Sequence, residues 1–138
     1  MKQMASALDI AMARVGDRWT LQVVEALLTG PRRFSELQEA IAGVAPNVLS
    51  SRLRRLEQQG LVVASPYSER PPRLEYRITD SGRELAGAVL LLTRWGARDA
   101  GDDSGPRHGV CGTPLEARWY CPTCGSVSDQ ADEDVTWV

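Results

Sequence analysis

The chain has 138 residues, 43% of them hydrophobic and 25% charged, with a net charge of −2 at pH 7. That length holds one main domain and a small appendage, and no apolar run approaches the ~18–20 residues of a membrane-spanning helix. The start, MKQMASALDIAMARVGDRW, carries Asp9 and has no bounded apolar core before a small-residue cleavage site, which argues against a secretory signal and for the cytoplasm.

Charge is unevenly divided. Through Arg98 there are 14 Lys/Arg against 10 Asp/Glu, and from Asp99 onward 2 against 8. A weakly basic body with an acidic tail is compatible with a nucleic-acid partner, because binding depends on where the charges sit.

Leu8, Met12, Val15 and Trp19 recur at the spacing of one helical face. Gly16-Asp17 interrupts that face, with Asp17 placed to cap a second helix whose apolar side includes Val23, Val24, Leu27 and Leu28. Gly30-Pro31 ends it. A third helix begins at Arg32-Arg33 and aligns Phe34, Leu37, Ile41 and Val44, with Ser35 and Gln38 spaced as a capping box. A fourth, PNVLSSRLRRLEQQ, opens on Pro46 at a tolerated first-turn position and closes at Gly60.

The period then changes. LVVAS and RLEYRIT read as two strands of a hairpin, with Leu74, Tyr76 and Ile78 on one face, Glu75 and Arg77 on the other, and PYSERPP as a long tip. A fifth helix is expected over residues 80–98, capped by Thr79 or Ser81. Its middle, AGAVLLLTRW, is apolar nearly all round, so a partner subunit is expected to cover it. GDDSGP reads as a linker, and the acidic end, SDQADEDVTWV, as a tail that Trp137 could anchor.

This order is mainly α with a small β-hairpin: a winged helix-turn-helix in which the fourth helix reads DNA and the hairpin is the wing. At ~100° per residue, Leu49, Leu53 and Leu56 form the buried side of the fourth helix. Asn47, Ser50, Ser51, Arg54 and Gln58 lie opposite, with Arg55 beside them. Asn can pair with adenine, Arg can fork onto guanine, and Ser adapts to either. Arginines on a helix face also serve simply as a solvated surface. Two neighbours favour DNA: Arg32 and Arg33 ahead of the third helix, suited to a phosphate, and Arg70 and Arg73 near the Pro-Pro tip, suited to a minor groove or flanking phosphate.

VGDRWTLQVVEALLTGPRRFSELQEAIAGV, VLSSRLRRLEQQGLV and PPRLEYRITDSGREL, with LLLTRWG, resemble the HxlR-type transcriptional regulators over about residues 7–98. The resemblance rests on Gly16-Asp17-Arg18-Trp19, Arg33-Phe34, Leu53 through Gly60, Tyr76-x-Ile78-Thr79, Gly82 and Trp95-Gly96. It implies a homodimer, held by the first helix and the helix after the wing, on a palindromic double-stranded operator. Two positions depart from the family pattern: Ala45 stands where a capping Ser is frequent, and Ser6 about where several members carry a sensing cysteine.

The three cysteines and the single histidine all fall between His108 and Cys124, as His108-x2-Cys111 and Cys121-x2-Cys124, with Gly112 and Gly125 following the pairs. Two such knuckles supply Cys3His, a donor set for tetrahedral Zn2+, in a segment that resembles a small zinc ribbon. A redox-active Cys121–Cys124 pair and an iron–sulfur cluster are the alternatives. A zinc with four protein ligands leaves no place for water, and the chain's one histidine is then spent, so no enzyme is expected.

The expected organisation is residues 1–98 for DNA binding and dimerisation, 99–107 as linker, 108–128 as the zinc-ribbon-like segment and 129–138 as acidic tail. The leading function is a dimeric, sequence-specific DNA-binding regulator with structural zinc. The alternative is a protein-interaction module without specific DNA binding. A small effector could sit between the first helix and the dimer core, and nothing in the sequence names it.

Overall fold

The computed structural model describes residues 3–101, 105–129 and 135–136. Most of the GDDSGP linker's acidic core, most of the acidic tail, and Trp137 lie outside the described residues. The chain forms two compact units, residues 1–89 and 90–138, and none of the described helices is long and apolar enough to cross a membrane.

The first unit opens with α1 (Ala7–Val15). Ser6 Oγ accepts the Asp9 N–H at 3.0 Å while Asp9 Oδ2 accepts the Ser6 N–H at 3.0 Å, a reciprocal cap that satisfies two orphan donors. Ser6 is therefore a helix cap. The apolar face expected here is seated only at its end: Val15 is buried and Trp19 half-buried, whereas Leu8 and Met12 are 69% and 50% exposed.

Asp17 starts α2 (Thr20–Leu28), its Oδ1 accepting the Trp19 and Thr20 N–H groups at 2.9 and 3.1 Å. α2 buries Val23, Val24 and Leu27. The next helix differs from the sequence expectation. Arg32 and Arg33 do not begin it; they form a two-residue strand, β1, and α3 (Phe34–Ala40) starts after them. Glu36, not Gln38, supplies the cap, accepting the Arg33 N–H at 2.7 Å, because the earlier strand pairing moves the helix start and leaves Ser35 inside the first turn.

After a turn containing buried Ile41 and Val44, α4 (Pro46–Gln58) begins with Ala45 at its N-cap and no side-chain cap bond. Leu49, Leu53 and Leu56 are at most 1% exposed, so the buried face is the one the spacing predicts. At its end the Leu61 N–H reaches the Leu56 carbonyl and the Gly60 N–H the Glu57 carbonyl, both at 3.0 Å, closing the orphan acceptors in a Schellman turn.

β2 (Val62–Glu69) and β3 (Pro72–Ile78) extend the expected hairpin well into its presumed tip. Pro66 is tolerated because β2 is an edge strand in the order β1-β3-β2. The alternation in β3 is real only at its base: Tyr76 and Ile78 pack on the core, while Leu74, farther out, is 48% exposed. The ladder skips Tyr67, which bulges between Pro66 and Ser68.

Thr79 then caps α5 (Asp80–Arg83), accepting the Gly82 N–H at 3.1 Å and donating to the Gly60 carbonyl at 2.7 Å. A Cβ at Gly82 would lie 2.2 Å from the Leu61 carbonyl oxygen, so this close approach admits only glycine. The expected single helix is accordingly broken. The Leu85 N–H turns back to the Gly82 carbonyl, and a separate helix, α6 (Ala86–Ala100), follows.

The second unit contains the rest of α6 and two small hairpins. Residues 106–115 close through an Arg107–Pro114 bridge and a 2.8 Å bond from the Leu115 N–H to the Pro106 carbonyl. β4 (Trp119–Cys121) pairs antiparallel with β5 (Ser126–Ser128). Among the described residues of this unit, Ala97 is the one buried hydrophobic side chain.

Candidate nucleic-acid interface and cysteine–histidine hairpins

The outward side of α4 is formed by what the core leaves over. Asn47, Ser51 and Arg54 are exposed and Ser50 is half-buried. Arg54 makes no ion pair among the described residues, and neither do Arg70 and Arg73 on the wing. Arg54 stands on α4, Arg73 on β3 and Arg70 in the turn between β2 and β3, all with donors open to a polyanion.

Other candidates are partly engaged. Arg55 is half-buried and donates to the Ala13 carbonyl at the end of α1. Gln59 strengthens the same junction through Arg14, whose Nε donates to Gln59 Oε1 at 3.3 Å. Arg32, also half-buried, donates to Thr29 Oγ1 at 3.0 Å. Arg33 is exposed and its guanidinium lies over the Tyr67 ring, 4.6 Å from the centroid. That stack joins the start of α3 to the bulge of the wing.

Two residues absent from the sequence-level site organise this face. Tyr67 is one: it sat in a presumed loop, and nothing in the chain's periodicity marks a bulge. Arg52 is the other. It turns back from α4 to Asp17, with Nε 3.0 Å from Oδ1, and its Nη1 lies 3.4 Å from Ser51 Oγ. Asp17 thus caps α2 and anchors α4 at once. Burial alone would raise its pKa, but hydrogen bonds from the Thr20 hydroxyl, the Trp19 amide, Arg52 and the Thr20 amide outweigh it and hold the carboxyl at about 2. Arg18, beside it, stacks on Trp19 at 4.5 Å.

The His108–Cys111 and Cys121–Cys124 pairs each sit at a tight turn. The Gly112 N–H bonds the His108 carbonyl at 2.8 Å, and the Gly125 N–H bonds the Cys121 carbonyl at 2.9 Å. Gly112 and Gly125 have φ of +70° and +65°, which a residue with a Cβ adopts at a cost. Within the pairs, His108 Nδ1 is 3.3 Å from Cys111 Sγ, and the Cys124 N–H points at Cys121 Sγ from 3.5 Å. Hydrogen bonds from Thr113 lower the Cys111 pKa, and backbone N–H groups of Cys124 and Thr123 lower that of Cys121, favouring the thiolate that binds metal. All three cysteines are free thiols. The two pairs are not drawn into one cluster: among the described residues no three His, Cys, Asp or Glu side chains group to hold a metal ion.

Apolar surface is the remaining feature. Besides Leu8 and Met12, Ile10 on α1 is 56% exposed, and α6 presents Leu90, Leu91, Leu92 and Trp95 to solvent. A cleft of about 260 Å³ opens beside α1, between Arg14 and Val15 on one side and Ser81, Glu84 and Leu85 on the other.

The sequence matches the family model described as HxlR-like helix-turn-helix over residues 14–103, ending before His108. It is similar to the uncharacterized HTH-type transcriptional regulator Rv3095 of Mycobacterium tuberculosis, 40% identical over 119 residues, covering 83% of this chain and 75% of that one. It is also similar to the HTH-type regulator YvaP of Bacillus subtilis, 36% identical, covering 67% of this chain and 86% of that one. Among solved structures, a putative HTH-type transcriptional regulator, ytcD, superposes with a TM-score of 0.65 at 29% identity, covering 70% of this chain and 99% of that one. The redox regulator HypR in its oxidized form gives 0.64 at 28%, covering 67% and 96%.

Proposed function

Since the chain belongs to the HxlR-like helix-turn-helix family of transcriptional regulators, and is not an enzyme, we propose that it works as a homodimer that reads a palindromic operator with α4 and steadies it with the wing. The observation that carries this reading is the open face of α4. Asn47, Ser51 and Arg54 are exposed on a helix whose opposite face is fixed in the core, and among the described residues no acid pairs with Arg54. Such a helix can enter a major groove, where Arg and Asn distinguish guanine and adenine edges.

The wing adds affinity rather than sequence preference. Arg70 and Arg73 flank its tip and suit phosphate or a minor groove, and the Arg33–Tyr67 stack keeps the wing in register with the reading elements. Leu8, Ile10 and Met12 on α1 and Leu90 on α6 support the dimer. Their exposure in a single chain costs solvation that a second copy removes. Two reading helices then meet successive major grooves ~34–36 Å apart.

The donor chemistry and the two glycine turns fit a zinc ion held by His108, Cys111, Cys121 and Cys124. Bound there, zinc supplies the cross-link between the two hairpins that their few buried side chains do not. Metal binding and ordering of the segment are therefore one event. The two knuckles of this chain contribute thiolates, one imidazole and N–H groups directed at sulfur.

A fluorescence-anisotropy titration tests the regulator reading, using DNA upstream of the protein's own gene and of neighbouring genes beside scrambled duplexes. Saturable preference for one upstream fragment is the expected result. Equal, purely salt-dependent binding to every duplex contradicts specific reading.

A further inference from the structure

We propose that a cleft on the second half of α6 binds a small amphipathic organic anion, an acid with an aromatic or branched apolar body. The cleft has a volume of about 480 Å³, within the ~300–1,000 Å³ typical of small-molecule sites. Its α6 wall is made by Leu91, Arg94, Trp95 and Arg98, whose i, i+3, i+4, i+7 spacing sets two apolar and two cationic side chains on one face. Glu116, Ala117 and Arg118, from the stretch between the two hairpins, form the other side together with Asp129, which follows β5.

Charge decides what such a cleft accepts. Arg118 is already neutralised by Glu116 at 2.7 Å and Asp129 at 3.2 Å. Arg94 spends one N–H on the Leu115 carbonyl at 2.8 Å, a neutral acceptor that leaves its positive charge uncompensated. Arg98 has neither an ion pair nor a hydrogen bond among the described residues. Arg94 and Arg98, neither ion-paired among the described residues, thus share a helix face with Trp95, which is 66% exposed.

Three arginines outnumber the two carboxylates of the lining, and Arg118 holds both carboxylates, so the place favours an anion over a metal cation. A neutral hydrophobe would cover the guanidiniums without replacing their water. An organic acid satisfies both halves: its carboxylate or sulfonate accepts the fork of N–H donors from Arg98, and its body covers Trp95 and Leu91. Only the role of such a ligand as an effector rests on the regulator reading; its binding does not.

The probes are 1-anilinonaphthalene-8-sulfonate and its uncharged counterpart N-phenyl-1-naphthylamine, titrated by fluorescence into the full chain. The sulfonate is expected to bind saturably, one per chain, and more tightly than the neutral amine. Arg98→Gln is expected to weaken the sulfonate about tenfold and leave the amine unchanged, while Trp95→Ala weakens both. Arg83→Gln, a charge removed from α5, is the control and changes neither. Equal affinity for the two probes, or equal effects of Arg98→Gln and Arg83→Gln, overturns the site. Because Arg98 is exposed, its replacement is expected to leave the thermal melt unchanged, and a lowered melting temperature would overturn its assignment as a residue held free for a ligand.

Discussion

Asp17 shows how one side chain can carry several duties. It accepts two N–H groups at the start of α2, takes the Thr20 hydroxyl and pairs with Arg52 of α4. Removing it leaves a helix start uncapped and an arginine unpaired, so Asp17→Ala is expected to cost about 1–3 kcal/mol, read as a lower denaturant midpoint. The pH dependence has a definite sign. The folded pKa, about 2, lies below the ordinary 3.8, so the contribution is complete above about pH 4 and disappears as pH falls toward 2. Acid unfolding of Asp17→Ala should therefore be shallower than wild type through that window, and identical slopes would contradict the assignment. The Gly16-Asp17-Arg18-Trp19 motif was legible as a family mark, and Asp17 as a cap. Its partner 35 residues away was not, because no local pattern encodes a contact between helices.

Among the elements, α4 was the most legible. Its leucines repeat at the helical period and the buried face follows directly. Elements whose form depends on pairing were less so. β1 is two arginines long and exists only because β3 passes beside it in register, Arg32 opposite Tyr76 and Arg33 opposite Glu75. The break before α6 falls just after Gly82 packs closely on Leu61, a tertiary contact within a stretch whose local pattern is helical.

The face expected along α1 illustrates the converse: the spacing is right, but Leu8 and Met12 stay 69% and 50% exposed. If a second copy covers them, Met12→Asp should shift the protein from dimer to monomer in sedimentation velocity and leave its far-ultraviolet helical signal intact. A dimer of unchanged stability would place the interface elsewhere.

The whole molecule combines a family domain with a segment that the family model does not reach. The domain has a continuous core from Val15 to Val89, and its hydrophobic periods, with the caps and breakers between them, made its class legible. The cysteine–histidine segment lacks such a core, and its sequence speaks through ligand spacing instead. We propose that zinc orders this segment. Chelation by a strong zinc-binding agent is accordingly expected to release one zinc per chain, make all three thiols react rapidly, and loosen residues 106–128 to hydrogen exchange. Rapid thiol labelling before chelation, with no metal released, would favour a redox-active pair instead.

We propose that α4 reads bases while the wing holds backbone, and two single substitutions separate these roles. The decisive measurement compares wild type, Arg54→Ala and Arg70→Ala on the preferred operator fragment and a scrambled duplex across a salt series. Arg54→Ala is expected to lose about 1–3 kcal/mol on the operator and little on scrambled DNA. Arg70→Ala should weaken both duplexes evenly and reduce the salt slope by about 1. If the two variants changed every duplex alike, the division between reading helix and wing would be wrong.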